Sequence, residues 1–261
     1  MGSSRTESGA LPPSLLGDFR LMVMLFVVFR MALAVVYQPA VFDLYDEKGQ
    51  PQAVERGLSA QGDLRYYFTF AQMSDQGDWP YRDYWHEFPP VWSVVFIGLY
   101  RVMSIVGSVE YGSWATALGL LMTACDVGNL ILLRRLALRL HGEAAAMALP
   151  WIYALLALPV VISWWTFEPL VLLLLLGALW LLLSDNRADC SAFATAVGVL
   201  AKYIGVLILP AIWRFRSRRY ALRYTAISVG IPLVIFAVML VWGGAMAKAS
   251  LSLQALSLIH I

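Results

Sequence analysis

Charge is scarce in this 261-residue chain: 19 Lys and Arg against 17 Asp and Glu amount to 14% of it, with a formal net charge of +2. With 60% hydrophobic residues and a mean hydropathy of +0.69, too little polar surface remains to cover a soluble globule of this size. So weak a positive balance, without a sustained basic run interleaved with aromatics, gives no basis for a nucleic-acid partner. Cysteine is nearly absent. Cys125 and Cys190 sit in or beside apolar runs with no CxxC spacing, so neither a disulfide framework nor a zinc site is indicated. P-loop, Rossmann, HExxH and GxSxG patterns are missing too, which leaves nucleotide-sugar, zinc-protease and serine-hydrolase chemistry unsupported.

What the chain has in quantity is apolar runs. A spanning helix needs about 20 mainly apolar residues, and five segments qualify clearly: Phe19–Tyr37, Trp114–Leu133, Ala144–Trp164, Pro169–Leu183 and Ala226–Trp242. Two more, Pro89–Gly107 and Ala192–Trp213, are ambiguous. The composition therefore predicts an all-α fold, a polytopic membrane bundle. Lys and Arg near helix ends favour the cytoplasmic side. The strongest clusters are "RRLALR" at Arg134–Arg139 and "RFRSRRYALR" at Arg214–Arg223. Both lie inside only if Pro89–Gly107 stays at the outer interface and Ala192–Trp213 splits near Lys202 into two short helices. The outer side then receives a long first loop, residues 38–107.

That loop concentrates the acids: nine of the 17 lie between the first helix and Pro89, against four bases. Within it "GDLRYYFTFAQMSDQ" places Leu64, Tyr67, Phe68 and Ala71 at helical spacing, the mark of an interface helix. Gly77 and Pro80 then punctuate "GDWPYRDYWHEFPP", and Pro89 opens a second juxtamembrane helix. Asp63 precedes the first periodic segment, where it could serve as a helix N-cap, as a general base, or as both. Glu87, just before two prolines, could orient a substrate, pair with Arg82 or complement a helix dipole. His86, among Trp and Tyr, fits an interfacial hydrogen-bonding role better than that of a base. Trp79 and Trp85 suit either sugar stacking or the interfacial aromatic belt. Lys202, inside an apolar run, is expensive to keep there and fits a phosphate partner, with snorkelling as the structural alternative. Arg30, Asp126 and Asn129 are further intramembrane polar groups expected to pair across helices.

The order of these motifs resembles the first outer loop of the membrane-embedded GT-C glycosyltransferases, which take a sugar from a polyprenyl phosphate. The matching positions are Asp63 with Tyr67; Gly77 with Pro80 and Tyr81; and Glu87 with Phe88, Pro89 and Pro90. Further along they are Glu168 in "WTFEP" and Gly198, Lys202, Leu209 and Pro210 in "TAVGVLAKYIGVLILP". The resemblance implies an inverting transferase on the outer face, of mannosyl- or arabinosyltransferase type, in the bacterial inner membrane. Its donor would be a polyprenyl-phosphate-linked sugar and its acceptor a cell-envelope glycan, lipid or protein; no cofactor is expected, and Arg or Lys can stabilise the leaving phosphate in place of a metal. Asp63 and Glu87 are then the expected catalytic pair. Arg65, Tyr66, Tyr67, Arg82, Asp83, Trp85, His86, Glu168 and Lys202 are the expected substrate contacts. A transporter or lipid flippase, its path lined by Arg30, Asp126, Glu168 and Lys202, is the competing expectation.

At the ends, residues 1–18 read as a disordered cytoplasmic lead, small, polar and proline-containing. The last six residues, "LSLIHI", resemble the translation of a sequencing-library adapter. Residues 19–255 are accordingly expected to be an incomplete transmembrane module, lacking further helices of the GT-C pattern.

Overall fold

The structure is a computed structural model that describes residues 17–37, 39–45, 51–56, 61–156, 165–184 and 187–259; for 40–45, 51–56, 61–62 and 253–259 it describes the backbone alone. The lead up to residue 16, the acids Asp46 and Glu47, and residues 260–261 of the terminal hexapeptide lie outside it.

Among the described residues the regular structure is helical apart from one hairpin. Helix α1 spans Phe19–Val36, capped by the Asp18 carboxylate, which accepts from the backbone N–H groups of Arg20 and Leu21. Strands β1 (Ala40–Tyr45) and β2 (Pro51–Arg56) follow, antiparallel and registered from Ala40 opposite Arg56 to Tyr45 opposite Pro51. This hairpin is a small addition to the expected helical fold. Val41, Phe42 and Tyr45 favour strands, but the run is too short to stand out in a sequence dominated by apolar helices. Helices α2 (Gln61–Asp75) and α3 (Pro90–Ser104) come next, then α4 (Tyr111–His141), α5 (Glu143–Leu155), α6 (Glu168–Leu183) and α7 (Ala188–Ala201). A 3-10 segment, Tyr203–Ile208, leads into α8 (Leu209–Phe215), and α9 runs Arg218–Ile259 with a non-helical break at Gly244.

Among the described residues, three helices are long and apolar enough to cross a membrane: α1, α4 and the stretch Arg218–Ser252 of α9. The chain is a membrane protein by that measure. Helix α4, at 31 residues, is about 46 Å long, well beyond an apolar core of about 30 Å. Its basic cluster is therefore not a loop, as the run Trp114–Leu133 implied, but the last turns of the helix itself. The expected break at Lys202 is present. Lys202 is extended (φ −158°, ψ 137°), and the chain folds back so that Gly205 packs on Thr195 and Val199, and Ile208 and Ile212 join the cluster around Ala192.

Contacts sort the helix ends into two groups. At one end the Arg134 guanidinium lies 4.9 Å from the Phe19 ring centre, Arg135 lies 5.9 Å from that of Trp180, and Arg216 donates to the Leu182 carbonyl. Arg223 pairs with Asp189 at the same end. At the other end Trp114 donates to the Phe96 carbonyl, Trp165 to the Ala115 carbonyl, and Lys202 to Glu168. Both basic clusters thus share one end of the fold. The α2–α3 unit and the turns around residues 168 and 202 share the opposite one.

Between the two ends sits a buried ionic knot. Arg30 Nη1 lies 2.6 Å from Asp126 Oδ2, and both side chains are fully buried. Asp126 Oδ1 accepts from Asn129 Nδ2 at 3.1 Å and from the Tyr153 hydroxyl. Asn129 also donates to the Pro169 carbonyl at 3.0 Å, so one cluster ties α1, α4, α5 and the first turn of α6 together. The expected pairing across helices is realised. Removing one partner of such a pair strands a charge and typically costs about 3–5 kcal/mol, whereas replacing both with apolar residues is often neutral. Asp126→Ala is accordingly expected to lower the detergent-solubilised protein's melting temperature sharply, and Arg30→Met with Asp126→Leu to recover most of the loss. A double variant no more stable than the single one would contradict this role.

Candidate functional site

Helix α2 buries the four residues its periodicity picked out: Leu64, Tyr67, Phe68 and Ala71 are between 0% and 9% exposed. They meet α3 and the start of α4 through aromatic contacts. Tyr67 packs edge-on against Trp92 and stacks on Phe96, while Phe68 touches Tyr100, Tyr111 and Trp114. Asp63 is the third residue of α2, in its first turn and exposed. The helix starts three residues before its apolar period does, at Gln61, so Asp63 is not the N-cap; its charge complements the helix dipole instead.

The connector from Gly77 to Pro90 is held from within. Tyr81 adopts a left-handed backbone (φ 67°), and its hydroxyl donates to the Phe88 carbonyl at 2.7 Å and lies 3.1 Å from Ser93 Oγ. Tyr84 stacks on Phe70 and reaches Ser74 Oγ at 2.7 Å. Asp83 accepts from the Trp79 N–H and pairs with Arg82 at 2.7 Å. That pairing holds the Asp83 carboxyl below its usual range and raises the Arg82 guanidinium. Arg82 therefore takes Asp83, and not Glu87, as its partner, and it also lies 5.3 Å from the Trp242 ring centre.

Helix α9 closes over this connector. A Cβ at Gly243 would lie 2.0 Å from the Tyr81 carbonyl oxygen, so only glycine allows the approach. Ser250 Oγ accepts from the His86 N–H at 3.0 Å, and Trp79 meets Trp242. His86 is fully buried, ringed by Tyr67, Phe70, Tyr81, Phe88 and Phe96. Its Nδ1 lies 3.2 Å from the Phe88 N–H and 3.1 Å from the Phe88 carbonyl oxygen. Burial pushes its imidazole down to about 4, which keeps the ring neutral at neutral pH and leaves it a packing element.

The charges of three carboxylates act on Tyr67. Its phenol is held well above its ordinary range, first by burial and then by the charges of Asp63, Glu87 and Glu168 in turn. Glu87 is itself raised, by burial first and by Asp63 second. Acids 24 to 105 positions apart in the chain thus share one electrostatic neighbourhood. Glu168 Oε1 receives Lys202 Nζ at 3.1 Å, while its Oε2 has no hydrogen-bond partner among the described residues. Lys202 also lies 5.1 Å from the Phe167 ring centre, and Phe167 packs on Phe88 and Trp92, joining the lysine to the connector. Two large rings stay accessible nearby in sequence, Tyr66 at 64% and Trp85 at 48% exposure, along with the Arg65 side chain.

Asp63, Tyr67, His86, Glu87, Glu168 and Lys202 are therefore brought together. Arg82 and Asp83 instead neutralise each other against α9, and Arg65, Tyr66 and Trp85 face outward. Tyr81, Phe88, Trp92 and Phe167 shape the site without having been singled out as contacts, and Gly243 and Ser250 fasten it. Only the Gly243–Gly244 doublet carried a sequence signal for this, as a break in an apolar run. No three His, Cys, Asp or Glu side chains among the described residues are placed to hold a metal ion. No known protein family, curated protein or solved structure matches the chain.

His86 gives the connector a pH dependence of definite sign. Its folded value near 4 lies below the ordinary 6.5, so its contribution to stability is fully present above pH 6.5 and fades as pH falls toward 4. The loss amounts to about 3 kcal/mol at most. Glu87, raised in the fold, works in the opposite sense and adds stability at low pH. Melting temperatures measured from pH 7.5 to 4 are expected to fall less steeply in His86→Gln than in the parent. Identical slopes would contradict the assignment.

Proposed function

We propose that the chain is the membrane module of an inverting glycosyltransferase that moves a sugar from a polyprenyl-phosphate donor to a cell-envelope glycan, lipid or protein. The observation that carries this reading is the half-exposed Lys202–Glu168 pair, joined through Phe167 to Phe88 and Trp92, in a neighbourhood where Asp63, Glu87 and Glu168 all act on Tyr67. Taking the shared basic end as cytoplasmic, by the positive-inside rule, turns the carboxylates to the outer surface of a multi-pass bacterial inner-membrane protein. Helices α2 and α3 then lie at the outer interface, where a lipid-borne sugar and a water-borne acceptor meet.

The chemistry needs a base, a cation and a platform. Asp63, exposed at the first turn of α2, takes the proton from the acceptor hydroxyl as that oxygen attacks the anomeric carbon. The bond from that carbon to the phosphate oxygen breaks on the opposite face, and the phosphate leaves with its charge met by Lys202. Lys202 is half exposed and already positioned by Glu168 and Phe167, so it approaches a lipid phosphate without being uncovered from a core. Glu87, whose raised carboxyl holds its proton to higher pH, suits hydrogen bonding to acceptor or sugar, and Tyr67 stays protonated as a donor among the three acids. Tyr66 and Trp85 offer exposed faces for stacking. The transporter alternative loses two of its path-lining groups, because Arg30 and Asp126 are closed on each other and fully buried.

In proteoliposomes supplied with a labelled polyprenyl-phosphate sugar and an acceptor, Asp63→Asn is expected to reduce transfer by roughly 10²–10⁴-fold. Turnover at the parent rate would refute the base assignment, and transfer abolished by Glu87→Gln but not by Asp63→Asn would exchange the two roles.

A further inference from the structure

The basic end of the fold carries a site that sugar transfer does not use. A crevice of about 480 Å³ opens between the start of α1 and the late turns of α4, lined by Gly17, Asp18, Phe19, Arg20 and Arg134. Arg134 is held there by its guanidinium lying 4.9 Å from the Phe19 ring centre. The Arg134 Nε–H is buried and has no acceptor among the described residues. A donor of that kind costs free energy unless something meets it. The acid in the lining does not: Asp18 makes no hydrogen bond to Arg134, and its Oδ1 is taken by the backbone N–H groups of Arg20 at 2.8 Å and Leu21 at 3.2 Å. Arg135 and Arg139 stand on the same helix end and deepen the positive potential.

We propose that this crevice binds a phosphate-ester anion, with Arg134 and Arg20 as its two cationic contacts. The guanidinium fork matches phosphate oxygens in geometry and charge. The site also lies at the level of the helix ends, where anionic lipid headgroups reside and where basic pockets between helices select them. The phosphate is supplied either by such a headgroup or by a free phosphate in solution. The inference is independent of glycosyl transfer.

Native mass spectrometry of the purified full chain tests it, with phosphatidylglycerol, phosphatidylcholine and inorganic phosphate as separate probes. Retention of phosphatidylglycerol over phosphatidylcholine is expected, reduced about tenfold in Arg134→Gln and several-fold in Arg20→Gln, with Arg139→Gln within twofold of the parent. Binding of inorganic phosphate alone, with the same two variants sensitive, would identify the soluble anion as the ligand. Arg20 is exposed, so its variant remains decisive if Arg134→Gln fails to fold. Equal retention of the two lipids together with no phosphate binding would overturn the proposal. A loss in Arg139→Gln as large as in Arg134→Gln would also overturn it, because the effect would then be bulk charge.

Discussion

The ion pair between Arg30 and Asp126 fixes the frame on which the rest is built. Two charges removed from water persist only if each finds its partner and the remaining donors and acceptors are met. Asp126 meets that demand by drawing in Asn129 and Tyr153, and Asn129 passes the constraint to the carbonyl of Pro169. Pro169 follows Glu168 directly. The position of the acid that receives Lys202 therefore traces back, through three hydrogen-bonded groups, to a charge buried in the first helix. Gly119 and Gly128 let α6 and the Trp165 turn approach α4 along the same interface, since a Cβ at either would lie 2.7 Å from Trp165 or Leu173.

At the acidic end the constraint is different in kind. Aromatic rings, rather than ions, hold α2, α3 and the connector together, and they place acids around a phenol that cannot ionise. Burial first, and repulsion from Asp63 second, raise Glu87, so keeping that acid charged there is costly. A cost of that kind at an accessible surface is more readily explained by chemistry than by stability. Helix α9 completes the arrangement by passing over Tyr81 at Gly243, where backbone meets backbone closely.

Much of this was legible in the residues. The spacing of Leu64, Tyr67, Phe68 and Ala71 gave the buried face of α2, and the positive-inside rule required a break at Lys202 that the backbone contains. Intramembrane Arg30 and Asp126 announced a pair because neither is tolerable alone. Other features carry no local signal. The left-handed Tyr81 and the buried His86 both meet α9, which lies some 160 residues further along. Hydropathy also cut α4 short at Leu133, because arginines at a helix end look like a loop until the helix is seen to continue past them. The hairpin of β1 and β2 escaped for a related reason, its strands being shorter than the window that identifies spanning helices.

The central claim, that the lipid phosphate sits at Lys202 beside the three acids, is tested most directly by photocrosslinking in vesicles with a diazirine-bearing polyprenyl phosphate. Mapped adducts should fall on peptides containing Tyr67, Phe167 and Lys202, and should be competed away by unlabelled polyprenyl-phosphate sugar. Adducts confined to the exposed flank of α9, or insensitive to competitor, would contradict it.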